Sequence, residues 1–216
     1  MYKACIFDLD GTLANTLPTL VHFVNRALFE CGYDTLESDC IRMLVGSGAD
    51  KLMRDSLTAS KGGYTEDEVA ALRKAYDNGY DNAPMYLTEA YDGMVETVLK
   101  LKEHGLKLGV LSNKPHYLTT QVVQALFPDL FDVCYGQRAE IARKPSPDGA
   151  LLIAEELGVR PEECLYLGDT GVDMKTGHAA GMTTVGVLWG FRPKSELEAY
   201  NAEHFIGHPS EILSLL

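Results

Sequence analysis

Hydrophobic positions follow two different rhythms along this chain. The stretch Lys3–Leu13 is a short apolar run that ends in Asp8, Asp10 and Gly11, which predicts a buried strand with two carboxylates at its tip. After it, residues 16–31 place leucine and valine at spacings of three and four, as in an amphipathic helix with Pro18 in its first turn. Further helical patterns follow at 38–44, 49–60 and 66–79, with no convincing strand between them.

From Tyr91 onward, apolar strands alternate with amphipathic helices. This alternation is typical of a parallel sheet covered by helices on both faces. The sequence therefore predicts an α/β fold with a Rossmann-like core. The predicted elements are helices at 92–104, 116–126, 147–157 and 172–180, strands at 107–111, 133–135, 164–167 and 184–188, a weak strand at 204–206 and a terminal helix from Ser210.

The purely helical pattern and the alternating strand–helix pattern together predict two domains. Residues 1–14 and 84–216 form the α/β core, and residues 15–83 form a helical domain inserted after the first strand. A chain of 216 residues with 46% hydrophobic content is long enough for one sizeable core and a smaller appendage.

Composition and charge exclude several classes of function. A formal net charge of −12 argues against a nucleic-acid partner, because binding to phosphate backbones depends largely on basic surface. No run approaches the roughly 18 apolar residues of a membrane span, and no signal peptide is expected, since Asp8 and Asp10 interrupt the first apolar run. The five cysteines show neither metal-site spacing nor a disulfide pattern. We expect a cytoplasmic protein, monomeric or homodimeric, that acts on a small molecule.

Polar residues follow the predicted strands of the core. They are Asp8 and Asp10 after the first strand, Ser112-Asn113-Lys114-Pro115 after the second, Arg143-Lys144-Pro145 in the loop after the third, and Gly168-Asp169-Thr170-Gly171-Val172-Asp173 after the fourth. Ligands of open parallel sheets bind at the carboxyl ends of the strands, so these residues are expected to share one edge. Singly, each could be a turn, a helix cap or a solvated charge; together at one edge, they favour a catalytic site.

These four motifs resemble those of the haloacid dehalogenase-like superfamily, in the same order and over the full chain, including a C1-type cap after the first motif. The resemblance implies that Asp8 is a nucleophile that forms an aspartyl-phosphate and that Asp10 is the general acid and base. It implies that Ser112 and Lys144 bind the phosphate. Backbone amides of Leu9, Gly11 and Asn113 would line the phosphate site, and Thr12 belongs to the same loop.

A divalent cation is also expected, because two carboxylates at a buried strand end are costly without compensation. The resemblance implies Mg²⁺ bound by the Asp8 carboxylate, the Asp10 backbone carbonyl and Asp169, with Asp173 adding charge or a water-mediated contact. Asp10 further favours phosphate ester chemistry, since the dehalogenase branch lacks an aspartate at this position.

Substrate choice is expected to lie in the helical insert. Its segment Leu44–Met53 contains Gly46, Ser47 and Gly48 ahead of a helix, and Lys51 follows within that helix. This could be a helix–helix turn, or a site where amides and Lys51 meet the non-phosphate end of the substrate. The segment is similar to the cap loop of phosphoglycolate phosphatases, and residues 181–192 also resemble that group, which implies 2-phosphoglycolate as the substrate.

Three alternatives remain open at this point. A phosphomutase of the β-phosphoglucomutase type would share the core motifs, although Ala49 stands where that group tends to carry arginine. An inorganic pyrophosphatase would also share them. A catalytically silent binding domain would keep the fold without the chemistry.

Overall fold

The structure, a computed structural model, describes all 216 residues and divides into two compact units. The core unit comprises Met1–Asn15 and Ala90–Leu216, and the helical unit comprises Thr16–Glu89. No helix combines the length and the apolar character that crossing a membrane requires.

The strands lie mostly in the core unit. In chain order they are β1 (Ala4–Phe7), β2 (Ala14–Asn15), β3 (Glu89–Ala90), β4 (Lys107–Pro115), β5 (Val133–Gln137), β6 (Cys164–Gly168), β7 (Thr183–Val187) and β8 (His204–Ile206). Six of them form one sheet in the order β5-β4-β1-β6-β7-β8, and every neighbouring pair is parallel. The short strands β2 and β3 form a separate pair. The predicted α/β class with a parallel sheet is confirmed.

The helices account for the remaining periodic segments. They are α1 (Leu17–Glu30), α2 (Ser38–Leu44), α3 (Ala49–Lys61) and α4 (Glu66–Tyr80) in the helical unit, and α5 (Met94–Glu103), α6 (His116–Leu126), α7 (Asp148–Leu157), α8 (Gly171–Ala179) and α9 (Lys194–Ala199) in the core unit. In α1 the buried face carries Leu20, Phe23, Val24 and Leu28, in agreement with the spacing of apolar residues in the sequence.

Strand β1 occupies the centre of the sheet, and this placement organises the site. Its four residues are fully buried, as expected for a strand covered on both faces. Phe7 pairs with Val110 of β4 on one side and with Leu167 of β6 on the other. The residues that follow these three positions therefore lie at the same edge of the sheet. The chain order reverses direction at β1, which is where open α/β sheets form their ligand crevice.

Several details differ from the sequence prediction. Strand β4 continues to Pro115, so Ser112 and Asn113 lie within an extended strand with a register shift against β5 and not in a loop. The terminal segment is a 3₁₀ helix at Pro209–Leu215 and not the α-helix expected from Ser210. Helix α9 and the two-residue strands β2 and β3 were not predicted, because such short elements carry no periodic signal.

Candidate active site

The loop after β1 holds Asp8 and Asp10 in a tight turn. The Asp8 amide still donates to the Leu167 carbonyl at 2.9 Å, while the Leu9 carbonyl accepts from the amides of Leu13 and Ala14 at 3.0 Å each. Gly11 turns the chain with φ +88°, and a Cβ there would lie 2.4 Å from Asp169 Oδ2, so the turn requires glycine. Asp8 is thereby fixed, with 6% exposure, at the carboxyl end of the central strand.

Lys144 joins two of the carboxylates. Its Nζ lies 2.8 Å from Asp8 Oδ1 and 2.7 Å from Asp173 Oδ1, and the lysine is 7% exposed. The Asn113 side chain holds the Lys144 backbone on both sides: Asn113 Nδ2 donates to the Lys144 carbonyl at 3.1 Å, and the Lys144 amide donates to Asn113 Oδ1 at 2.9 Å. Asn113 therefore sets the position from which the lysine reaches the carboxylates.

Asp173 enters the site through the beginning of α8. Thr170 is the N-cap residue of this helix and Asp173 stands at its third position: the Asp173 amide donates to the Thr170 hydroxyl at 3.4 Å, and the Thr170 amide donates to Asp173 Oδ2 at 3.1 Å. This reciprocal capping box fixes the carboxylate and leaves Oδ1 for Lys144.

Asp169 is fully buried at the end of β6. The Phe191 amide donates to Asp169 Oδ2 at 2.7 Å, and the Thr12 hydroxyl donates to Oδ1 at 3.3 Å. Gly190, next to Phe191, passes so close that an added Cβ would lie 2.2 Å from the Asp169 Cβ. The loops after β1 and β7 therefore hold this carboxylate from two sides.

The three carboxylates form a group that fits a divalent cation. One oxygen each from Asp8, Asp169 and Asp173 can be chosen so that all lie within 4.8 Å of one another, and all three residues are buried. Carboxylate oxygens at this spacing suit hard cations such as Mg²⁺. The fit follows from the donor set, because the Lys144 ammonium contacts only Asp8 and Asp173, and Asp169 is held by an amide and a hydroxyl without an ion pair to a basic side chain.

Electrostatics agree with this interpretation. Burial raises the pKa of Asp8 to about 7; the ammonium of Lys144 opposes that rise, and Asp173 and Asp10 add to it. Burial also raises the pKa of Asp169 well above its ordinary range, and the charges of Asp173 and Asp8 add to this. Burial alone would lower the pKa of Lys144, but the nearby charges of Asp173 and Asp8 outweigh this effect and raise the pKa well above its ordinary value. This lysine therefore remains charged. A bound cation would favour the ionised forms of Asp8 and Asp169.

The remaining predicted residues of the core unit lie at the same edge. Ser112 is 4% exposed, and its hydroxyl accepts a hydrogen bond from the Lys114 amide at 3.2 Å. The Gly11 amide, which the resemblance assigns to the phosphate site, donates in this structure to the Ala14 carbonyl at 2.9 Å. Leu9 and Thr12 are fully buried within the turn.

The structure connects two further residues to this edge, neither of which is among the predicted site residues. Lys114 places its Nζ 2.6 and 2.8 Å from the two carboxylate oxygens of Asp10. Trp189 donates from Nε1 to the Thr12 carbonyl at 3.0 Å and so holds the loop after β1. The position of Lys114, two residues after Ser112 at the same strand end, was the signal that could have identified it.

The predicted residues of the helical unit form a glycine-rich turn. Gly46 and Gly48 have φ values of +119° and +88°, and Gly48 is the N-cap residue of α3. Lys51 lies in the first turn of α3, where its Nζ contacts Asp55 Oδ2 at 2.6 Å with 58% of the lysine side chain exposed. The neighbouring Asp50 forms an ion pair with Arg73 of α4.

Comparisons with known proteins agree with the fold and the motifs. The family model described as haloacid dehalogenase-like hydrolase matches residues 5–187. The chain is 32% identical to the phosphoglycolate phosphatase of Mannheimia succiniciproducens over 216 residues, covering 98% of this chain and 93% of that protein. It is 31% identical to the phosphoglycolate phosphatase of Haemophilus influenzae, covering 100% and 98%. A crystal structure from Haemophilus somnus, titled a predicted phosphoglycolate phosphatase, superposes with a TM-score of 0.92 at 26% identity, covering 99% and 97%.

A family match over most of the chain and curated relatives above 30% identity lead to the same assignment. The chain belongs to the haloacid dehalogenase-like hydrolases and is an enzyme of the phosphoric monoester hydrolase class.

Proposed function

We propose that this enzyme is a Mg²⁺-dependent phosphatase that hydrolyses a small phosphomonoester, 2-phosphoglycolate, through an aspartyl-phosphate on Asp8. The observation that supports this most directly is the buried group of Asp8, Lys144, Asp169 and Asp173, with Asp10 two residues beyond the nucleophile. The named relatives support the choice of substrate, because two curated proteins similar over nearly the whole chain are phosphoglycolate phosphatases.

The first half-reaction uses Asp8 and Asp10. An Asp8 carboxylate oxygen forms a bond to phosphorus while the bond from phosphorus to the ester oxygen breaks, and Asp10 gives its proton to the departing alkoxide. In the second half-reaction the Asp10 carboxylate takes a proton from water, the resulting hydroxide attacks phosphorus, and Asp8 leaves with its electron pair. The products are the alcohol and inorganic phosphate, and both aspartates return to their starting states.

The other residues position the phosphoryl group and offset its charge. The Ser112 hydroxyl and the Lys144 ammonium contact the phosphate oxygens, with backbone amides of Leu9, Gly11 and Asn113 completing the donor set. The Gly11 amide would have to exchange its contact with the Ala14 carbonyl for one with phosphate. Bound at Asp8, Asp169, Asp173 and the Asp10 carbonyl, Mg²⁺ would neutralise the repulsion between carboxylate and phosphate.

Residues 15–83 act in this proposal as a cap, in which Gly46, Ser47, Gly48 and Lys51 meet the alcohol end of the substrate. The enzyme works in the cytoplasm as a monomer or homodimer on a small phosphorylated metabolite. Five cysteines without a disulfide between them fit a reducing compartment.

Phosphate release from 2-phosphoglycolate, measured with and without Mg²⁺, tests the proposal. We expect turnover of about 1–1,000 s⁻¹ with Mg²⁺, loss of turnover in a chelator, and loss of turnover in D8N. Rapid acid quench followed by mass spectrometry should find a phosphoryl adduct on the peptide containing Asp8.

A panel of phosphoesters with diphosphate and β-glucose 1-phosphate tests the alternatives. Isomerised sugar phosphate without free phosphate would identify a mutase, preferential cleavage of diphosphate a pyrophosphatase, and no activity on any compound would reject the proposal.

A further inference from the structure

The site contains a second buried ammonium that the phosphoryl chemistry does not use. Lys114, the penultimate residue of β4, is 7% exposed, and its Nζ contacts both oxygens of Asp10 at 2.6 and 2.8 Å. Lys144 faces Asp8 and Asp173 instead. Lys144 thus contacts Asp8, the proposed nucleophile, and Lys114 contacts Asp10, the residue proposed to protonate the leaving oxygen.

The backbone of Lys114 is held firmly. Its amide donates to the Ser112 hydroxyl at 3.2 Å, and its carbonyl accepts from the Thr119 hydroxyl at 3.2 Å. A Cβ added at Gly136 would lie 2.7 Å from that same carbonyl oxygen, so the neighbouring strand packs directly against it. A side chain that starts from such a fixed backbone is suited to precise recognition of a small group.

Stability alone does not account for this pair. Replacing a buried ion pair by apolar side chains of similar volume is often neutral or stabilising, because both charges lose their hydration on folding. The ammonium of Lys114 contacts Asp10, whereas the ammonium of Lys144, proposed to offset phosphate charge, contacts Asp8 and Asp173. Its position therefore suggests a role towards the alcohol half of the substrate.

We propose that Lys114 is a specificity-determining residue that binds a carboxylate on the alcohol half of the substrate, at the carbon that bears the ester oxygen. This rests on the proposed function, which places the leaving oxygen within hydrogen-bond distance of Asp10, about 2.6–3.2 Å. A carboxylate one carbon from that oxygen then comes within reach of an ammonium already 2.6–2.8 Å from Asp10. Charge-assisted contacts of about 2.7–2.9 Å give such a carboxylate a large advantage over a neutral group.

The substrate class that follows is that of short 2-phospho-oxy acids. Their carboxylate is attached directly to the carbon that carries the phosphate ester, as in 2-phosphoglycolate. Esters of neutral alcohols would bind to the same phosphate site without this contact. Discrimination between the two classes would then originate in the core unit, from a residue adjacent to the catalytic motifs.

Steady-state kinetics with two matched esters test this role. 2-Phosphoglycolate and propyl phosphate have similar size, but only the first carries the carboxylate. In K114Q we expect the ratio of their kcat/KM values to fall by about 10- to 100-fold, the range for one hydrogen bond to a charged group, and chiefly through KM for 2-phosphoglycolate. The matched control K107Q makes the same change at the exposed first residue of β4 and should leave the ratio unchanged.

The ratio of the two kcat/KM values distinguishes a Lys114 that binds the substrate carboxylate from a Lys114 that only positions Asp10. If K114Q leaves the ratio unchanged, the proposal is wrong: an equal fall in both kcat/KM values would mean that Lys114 only orients Asp10, and no fall in either would mean that it has no role in turnover. If the unmodified enzyme releases phosphate from neither ester, the proposed function itself fails, which is a different result.

A binding experiment covers the case in which K114Q does not fold. The double variant D10N/K114Q replaces the charged pair by neutral groups of similar shape, which buried sites tolerate better than one unpaired charge, and D10N, which keeps the Lys114 ammonium, is its reference. Calorimetry should show that the preference of D10N for 2-phosphoglycolate over propyl phosphate is reduced about tenfold or more in the double variant. Equal preferences in the two variants would overturn the proposal.

Discussion

The edge of the sheet in the core unit and the glycine-rich turn of the helical unit both carry charged residues, but they hold them differently. At the sheet edge, Asp8, Lys144 and Asp173 are almost fully buried and contact one another directly. In the helical unit, Lys51 pairs with Asp55 on an exposed helix surface, with 58% of the lysine side chain accessible.

The two regions are expected to differ in how far their charged side chains can move. Buried charged groups that share partners cannot change one position without disturbing the others, so the side chains at the sheet edge have little freedom to rearrange. Exposed pairs are screened by water and salt and contribute little individually. Substitutions at the sheet edge should therefore have large and coupled effects, and substitutions at the turn should have small and separable ones.

The largest effect in this comparison is expected for G190A. A Cβ at this position would lie 2.2 Å from the Asp169 Cβ and 2.6 Å from the Gly11 carbonyl oxygen, so the substitution must displace Asp169. We expect a loss of about 1–3 kcal/mol in unfolding free energy from overpacking. We also expect a decrease of about 100-fold or more in kcat, since a displacement near 1 Å can have that effect. Thermal unfolding measures the loss of stability, and phosphate release measures the decrease in kcat.

The matched control for G190A is G63A in the helical unit. A Cβ at Gly63 meets no atom within 4 Å, and Gly63 does not have a positive φ. Stability and kcat should remain close to those of the unmodified enzyme. If G190A behaves like G63A, the close packing around Asp169 does not constrain the proposed metal site, and the contrast between the two regions fails.

A smaller effect, specific to the sheet edge, is expected from pH. The pKa of Asp8 is about 7 in the folded protein, well above its ordinary value near 4 in an unfolded chain. Between these values the folded state binds more protons, so the metal-free protein should lose stability as pH rises from about 4 through 7. Mg²⁺ competes with that proton, so its affinity should weaken by about tenfold for each pH unit below about 7.

Thermal unfolding with and without Mg²⁺ at about pH 6 and about pH 8 checks this sign. The rise in Tm on adding Mg²⁺ should be greater at the higher pH. In D8N the contribution of this carboxyl to the pH dependence should disappear. An equal Mg²⁺ effect at both pH values would show that Asp8 does not exchange a proton for the cation.

The sequence predicted the sheet edge far better than its internal contacts. Apolar runs that end in Asp8 and in Asp169 locate strand ends by pattern alone, and a parallel sheet brings such ends together. The pairing of Lys114 with Asp10 joins residues 104 positions apart, and the pairing of Asn113 with the Lys144 backbone depends on how far β4 extends. Such contacts depend on register and side-chain direction, which the order of residues does not contain.

The same distinction applies to the loops. Gly11 and Gly190 both approach Asp169, yet in sequence each is one glycine among 20, and only the packing identifies it. In the helical unit the sequence indicated the turn at Gly46–Gly48 correctly as the start of a helix. The pair of Lys51 with Asp55 was not predicted, although the i,i+4 spacing of the two residues within that helix could have indicated it.

The smallest effect is expected for K51Q. Because the Lys51 ammonium is exposed and shared with Asp55, a contact with the substrate would be screened by water. We expect a two- to fivefold rise in KM for 2-phosphoglycolate, roughly the range for an exposed charge pair, with kcat and Tm unchanged. The control is K61Q, at the last residue of the same helix, where the lysine contacts Glu68, and it should leave KM unchanged. A rise in KM well above tenfold in K51Q with unaltered Tm would place recognition mainly in the helical unit, because only a desolvated contact has that strength.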